Sequence, residues 1–444
     1  MKPGLRHLCR SLPAIFLVAT YLLAWPQERG TVSKELSSRT GHGLKTSAPS
    51  KEPQAASFPP GITFNGKLSE DDAVAIALWN NTGLEAAIST LGLARADLVD
   101  AGLLRNPSLQ ALLPVGPKPF EFALQMPLEV LWQRPRRVAA ASLNLRQVSE
   151  GLVQYGLDLV RDVRCAHAEL ELADRRAAIA RASADLRARI AELTERRFKN
   201  GDISEMEAAA TRAEARSFEE QAARQAREVD TVSERLRLLM GLRRDKTRLT
   251  AVSGPADEPP APEWEVLIET AMSSRPDLRA AELAIQAATE RARWERSRVL
   301  ALVAPILSIK EVGTSGVRTG PGAALELPVF HRNQGGISRA DAEVERATLA
   351  YLALRDRIEL EVREARLQLV QARESVNTIR SDVLPGAQEV IRLAEKAYAD
   401  GDASYLFVLE ATRQIYDVRQ REAESLAAAR RARAQLERAV GRKL

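Results

Sequence analysis

The chain has 444 residues, of which 28% are charged, 45% hydrophobic and only 5% aromatic, with a formal net charge of +5. That length exceeds one ordinary core, so several domains or one elongated repetitive body are expected, and a composition poor in large side chains is that of long helices. Acidic and basic residues are interspersed, which reads as solvated helix faces carrying i,i+4 pairs and argues against a nucleic-acid-binding stripe.

The opening stretch, MKPGLRHLCRSLPAIFLVATYLLAWPQERG, sets Lys2, Arg6 and Arg10 before an apolar run from Leu12 to Trp25. Such a run is too short for a stable membrane span and has the flanks of a secretory signal. Residues 1–26 are therefore read as a signal peptide and the chain as exported. Cys9 falls within the signal, so Cys165 is the only cysteine left and an intrachain disulfide framework is excluded. Residues 27–66, rich in Ser, Pro, Gly, Thr and Lys, read as a flexible lead-in.

From residue 67 onward the chain uses one plan twice. From Leu145, apolar residues fall at Val148, Leu152, Tyr155, Leu159, Val163, Ala166, Leu170, Ala173, Ala177 and Ala180. From Val344 to Ile379 the same spacing recurs with every position displaced by 199. Both seams contain one 4,4 step, a stutter that relaxes the winding of a heptad pattern.

In chain order, repeat 1 (67–253) opens with a helix from Leu68 to about Leu104 and a β-hairpin at about 107–131. A long helix, a tip at 200–204 and a return helix from about Ile203 to Met240 complete it. A linker (254–263) leads to repeat 2 (264–444), with a helix from Trp264 to about Val303, a β-hairpin at about 305–330, a long helix, a tip at 400–404 and a return helix. The strands alternate. Phe120, Phe122, Leu124, Met126 and Leu128 interleave with Glu121, Ala123 and Gln125; Leu307 and Ile309 interleave with Ser308 and Lys310. The fold class expected is mainly α with a small β part. Residues 138–198, if one helix, would span roughly 90 Å.

The tips are alike: RRFKNGDIS at 196–204 and KAYADGDAS at 396–404. Gly201 and Gly401 suit the left-handed residue that ends a helix, and Asp or Ser in Asp202, Ile203, Ser204 and in Asp402, Ala403, Ser404 can cap the next one. An exported chain with apolar-polar alternation suggests an outer-membrane barrel, apolar residues facing lipid and Glu121, Gln125, Lys310 and Glu326 facing a wet interior. Four strands cannot close, and open edges are forbidden in lipid, so several chains must share one barrel. Two copies give 8 strands and three give 12, and the periodicity is compatible with both.

The order of elements, the stretch LPVFHRNQGGISRADAEV (327–344), the paired tips and AYADGDASYLFVLEATRQIYD (397–417) together resemble the TolC-type outer-membrane efflux proteins and, among them, the heavy-metal efflux branch. The resemblance covers about residues 66–444. It implies a homotrimer whose 12-stranded barrel in the outer-membrane lipid is continued by an α-helical periplasmic tunnel. The implied partners are a periplasmic adaptor (membrane fusion protein) and an inner-membrane pump of the resistance-nodulation-division type, and the implied cargo is metal cations or small toxic compounds. By position, Phe407, Glu410 and Asp402 would form the periplasmic gate. Gly201, Asp202, Ile203, Ser204 and Gly401, Asp402, Ala403, Ser404 would form the tips that adaptors grip. Phe407 stands where some relatives carry a second acid, which suggests an apolar constriction below a single acidic ring.

Other chemistry is sparse. Cys165 and His167 lie two apart on a helix and face different directions, so no metal site is expected, and His331 reads as a turn residue. No Gly-rich phosphate loop, nucleophile elbow or triad is present, so neither an enzyme nor a cofactor is expected. Two alternatives differ in class or cargo: a periplasmic coiled-coil adaptor, and an outer-membrane conduit for type I protein or peptide secretion. Adaptors place one helical hairpin inside a compact β domain, whereas this chain carries two complete copies of the plan.

Overall fold

The computed structural model describes residues 25–45, 57–113, 120–125, 130–252, 254, 262–300, 303–311, 317–325, 329–400 and 404–444. Residues 1–24 of the expected signal, the two hairpin turns, Met126, Leu128, Glu326, most of the linker, and Gly401, Asp402 and Ala403 lie outside them. The described chain is mainly helical with a small sheet. Its helices are α1 (Trp25–Thr40), α2 (Glu70–Asn80), α3 (Thr82–Gly102), α4 (Val130–Lys199), α5 (Glu205–Leu239), α6 (Trp264–Ser274), α7 (Pro276–Ser297), α8 (Gln334–Thr378), α9 (Leu384–Asp400) and α10 (Tyr405–Val440). The strands are β1 (Lys67–Leu68), β2 (Ser108–Leu112), β3 (Glu121–Gln125), β4 (Thr250–Ala251), β5 (Val303–Glu311) and β6 (Val317–Leu325). Among the described residues no helix is long and apolar enough to cross a membrane.

Three local features depart from the sequence reading. The helix expected from Leu68 to Leu104 is two helices broken at Asn81, whose backbone is extended and whose side chain caps the next helix, Leu84 N–H donating to Oδ1 at 2.9 Å. In the second repeat the break falls at Arg275, because the ring of Pro276 disfavours the helical conformation in the residue before it. The lead-in read as flexible contains α1, with Val32 and Leu36 buried. Those two apolar residues, four apart among Ser, Lys and Glu, make a stripe too sparse to stand out in composition.

The contacts divide the chain into two units. One comprises Ala86–Val153 and Pro276–Arg357, with residues up to Glu28. It holds the four-stranded antiparallel sheet, in the order β2-β3-β5-β6. Register puts Leu109, Leu124, Leu307 and Pro321 in one cross-strand row and Ala111, Phe122, Ile309 and Thr319 in another. Both rows lie on one face, since alternate residues share a face. The intervening rows are Gln110, Ala123, Ser308 and Gly320, and Ser108, Gln125, Ile306 and Gly322. The expected alternation is therefore realised, with one apolar and one mostly small or polar face. Leu109, Phe122, Leu124, Leu307 and Ile309 are all exposed in the single chain. The strands of the first hairpin have 5 residues each and those of the second 9 each.

In the same unit, the strand-to-helix corner before α8 turns on Asn333, which has φ 58°, the only non-glycine described residue with positive φ. Asn333 Nδ2 donates to the Glu295 carbonyl at 2.9 Å and to its carboxylate at 2.6 Å, tying the start of α8 to the end of α7. A Cβ on Gly336 would stand 2.4 Å from Asn333 Oδ1, so this glycine permits the close approach.

The other unit comprises Arg29–Glu85, Gln154–Arg275 and Ile358–Leu444. Its core is the apolar seam: Leu159, Val163, Ala166, Leu170 and Ala173 of α4 are buried, as are Ile358, Val362, Ala365, Leu369 and Ala372 of α8. In α1, Leu36 packs where Gly156 leaves room, since a Cβ there would lie 2.4 Å from Leu36 Cδ2. β1 and β4 form a two-residue parallel pair held against α4 from both strands. His167 Nε2 meets the Leu68 carbonyl at 3.0 Å and Asp174 accepts from the Ala251 N–H at 3.3 Å. Burial lowers the imidazole pKa of His167 and raises the carboxyl pKa of Asp174.

Candidate functional site: the helical-hairpin tips

Helix α4 ends because Gly201 takes φ 83°, which an L side chain rarely adopts. The Asp202 N–H then reaches the Arg197 carbonyl and the Gly201 N–H the Phe198 carbonyl, both at 2.9 Å. This paired closure satisfies the helix's last carbonyls, while Arg196, Arg197 and Lys199 complement the negative end of its dipole. The cap of α5 is Ser204, with extended backbone, its Oγ accepting from the Glu207 N–H at 3.3 Å; Asp202 plays no part in it. Glu205 and Glu207 sit in the first turn, where the dipole favours acids. Met206 is 80% exposed.

At the second tip the described residues resume at Ser404, which caps α10 with the same extended backbone but no side-chain bond. The Phe407 N–H donates to its carbonyl at 3.1 Å. The face of α10 carrying Val408, Ala411, Thr412 and Ile415 is buried. Val408 packs with Ile190 of α4, joined by Leu186, Ala394, Tyr398 and Leu409. Phe407, 68% exposed, and Glu410, also exposed, are three residues apart and so share the side turned away from that contact. Glu410 forms no ion pair among the described residues. Of the residues read from sequence, Gly201, Asp202, Ile203 and Ser204 thus form one tip, and Phe407 and Glu410 form one exposed face. Gly401, Asp402 and Ala403 lie outside the described residues.

Behind the tips the two hairpins are tied by residues that the sequence reading missed. The guanidinium of Arg187 in α4 is 1% exposed and lies 2.7 Å from the Glu214 carboxylate of α5. Arg413 of α10 reaches the same carboxylate at 2.9 Å. Arg187 also stacks 4.3 Å from the Phe218 ring centroid. Phe218 in turn meets Tyr416 edge-on at 6.0 Å, and Gln221 donates to the Tyr416 hydroxyl at 2.9 Å. Nearer the tip, Arg197 lies 5.4 Å from the Tyr398 ring. One carboxylate therefore bridges two arginines from different hairpins. The available signal was Arg187 itself, a lone charge three residues after Ala184 on an apolar seam.

Cys165 is free and partly buried, with burial pushing its thiol up to about 11, and His167 is engaged by the Leu68 carbonyl. Among the described residues no group of three or more His, Cys, Asp or Glu could hold an ion.

Residues 267–442 match the family model described as outer membrane efflux protein. The cobalt-zinc-cadmium resistance protein CzcC of Cupriavidus metallidurans is 26% identical over 381 residues, spanning 85% of this chain and 91% of that protein. A membrane protein from Pseudomonas aeruginosa shares the fold at TM-score 0.70 and 21% identity, over 89% of this chain and 99% of that one. The CusC channel does so at TM-score 0.70 and 20% identity, again over 89% and 99%. In its repeated helical plan and two-faced sheet the chain shares the fold of these solved proteins, and over residues 267–442 it resembles the outer membrane efflux proteins.

Proposed function

We propose that this protein is the outer-membrane channel of an efflux system, a passive conduit from an inner-membrane pump and periplasmic adaptor to the exterior. The observation that carries the reading is the sheet. Its apolar rows stand exposed on one face, its other face is mostly small and polar, and among the described residues β2 and β6 are left as unpaired edges. In lipid such edges must be paired, and further copies of the same chain can supply them. Three copies, as the family resemblance implies, make 12 strands with the apolar rows toward lipid. The long helices then form a periplasmic tunnel, with the 200–204 and 400–404 tips at its inner end offered to the adaptor.

In this reading Phe407 and Glu410, with Asp402, line the narrow inner end. Three Glu410 carboxylates around the axis would attract cations, and three Phe407 rings would resist ions by dewetting. The relative whose name records cobalt, zinc and cadmium resistance supports metal cations as the cargo, and the family resemblance implies a pump of the resistance-nodulation-division type. Deleting the gene should sensitise cells to these cations, and the protein reconstituted in planar bilayers should conduct ions. Undiminished metal tolerance together with an absence of conductance would overturn the proposal.

A further inference from the structure

The two copies keep step at one offset along their seams and at another at their tips. Val163, Ala166, Leu170 and Ala173 are buried in α4, and so are Val362, Ala365, Leu369 and Ala372 in α8, 199 residues on. The tip glycines Gly201 and Gly401 stand 200 apart. At this larger offset Ala184, Arg187, Thr194 and Phe198 correspond to Leu384, Ala387, Ala394 and Tyr398, all buried or half-buried. The second copy therefore has one residue more than the first between Ile379 and its tip.

An extra residue in a continuous α-helix would turn every later side chain by about 100° about the axis. The structure shows where the turn is absorbed. Ile379–Val383 is a single π-helical turn, in which the Leu384 N–H donates to the Ile379 carbonyl five residues back. The buried face of α9 thus stays in phase. In the first copy the matching stretch lies inside α4, which is uninterrupted from Val130 to Lys199.

The insertion leaves a defect. With the Leu384 amide given to Ile379, the Arg380 carbonyl loses its ordinary donor. The next candidate is Pro385, which has no N–H. Arg380, Ser381, Asp382 and Val383 are exposed, so the gap in the ladder faces water. On the other side the segment is held by contacts of Ile379, Leu384 and Ile391 with Ala387, Ile415 and Val418, and by Arg380 with Glu422 at 2.9 Å. A broken ladder on one side and a continuous apolar contact on the other describe a joint.

We propose that Ile379–Val383 is a hinge created by a single inserted residue, on which Leu384–Asp400 swings while α4, lacking the insertion, stays straight. Motion is thereby confined to the second hairpin. That this motion opens the inner end of a channel rests on the conduit reading above; the hinge itself does not.

Hydrogen exchange on the purified full-length protein in detergent tests it. Amides of residues 384 and 386–391 should exchange at least about tenfold faster than those of residues 184 and 186–191, reporting local opening. Deleting Ser381 together with Pro385→Ala restores an uninterrupted helix and should bring the two stretches to the same rate. If that variant does not fold, Pro385→Ala alone returns one donor and should slow the amides of residues 384 and 386–391 severalfold. Equal rates in the unaltered protein, or rates untouched by Pro385→Ala, would overturn the hinge. Bilayer conductance read on the same preparations separates the two ideas, because a protein that never conducts contradicts the conduit while the exchange comparison still decides the hinge.

Discussion

Arg187 sits on the apolar seam of α4, where its charge is tolerable only because Glu214 faces it at 2.7 Å and Phe218 covers its flat side. Removing one partner of a buried pair leaves a desolvated charge behind and typically costs about 3–5 kcal/mol; loss of Glu214 strands Arg187 in that way, whereas loss of Arg187 leaves Glu214 still paired with Arg413 at 2.9 Å. Glu214→Ala should therefore lower the thermal unfolding midpoint clearly more than Arg187→Met does. Equal, small shifts would show that the pair contributes little. His167 gives a pH-dependent test. Burial holds its folded-state pKa below the ordinary value, so below about pH 6.5 the unfolded chain takes up a proton that the folded chain refuses. Stability should fall as the pH drops through that value and level off below the folded pKa. Asp174 acts with the opposite sign and at lower pH, since its raised carboxyl pKa lets the folded chain keep a proton longer. His167→Gln should flatten the slope just below neutrality, as followed by thermal melts at a series of pH values. At the second tip, Glu410→Ala should raise the ion conductance of the reconstituted protein and weaken its preference for cations. Unchanged conductance and preference would remove Glu410 from the gate.

At the scale of elements, the sheet's two faces predict opposite tolerance. Arginine at Phe122, on the apolar face, should cost about 2–4 kcal/mol if the row lies near mid-membrane, and should reduce the yield of assembled protein in outer-membrane fractions. Arginine at Ala123, one residue along on the other face, should leave that yield nearly unchanged. Equal losses at both positions would contradict the facing. These elements were legible because their periods are physical: alternation of two for the strands and a three-four seam for α4 and α8. What escaped was local or long-range. The break at Asn81 depends on a side chain capping the next helix, and that at Arg275 on the proline after it. Helix α1 is visible only through Val32 and Leu36, and Leu36 gains its meaning from the space left at Gly156. The π turn was present in the sequence as a shift from 199 to 200, which a seam ending at Ile379 and a tip read separately do not reveal.

At the scale of the whole molecule, the candidate site was partly readable. Gly201 and Ser204 carry the turn chemistry that their residue types announce, and Phe407 and Glu410 emerge on one exposed face. The bridge from Glu214 to Arg187 and Arg413 was not readable, because residues so far apart in sequence meet only through helix packing. The sheet carries the larger consequence, since its apolar rows and free edges are incomplete in one copy. The most direct test is the cell fraction in which the protein is found and its mass there after mild detergent extraction. Recovery from the outer membrane as a particle of three copies is predicted; recovery as a soluble single copy from the periplasm would contradict the account.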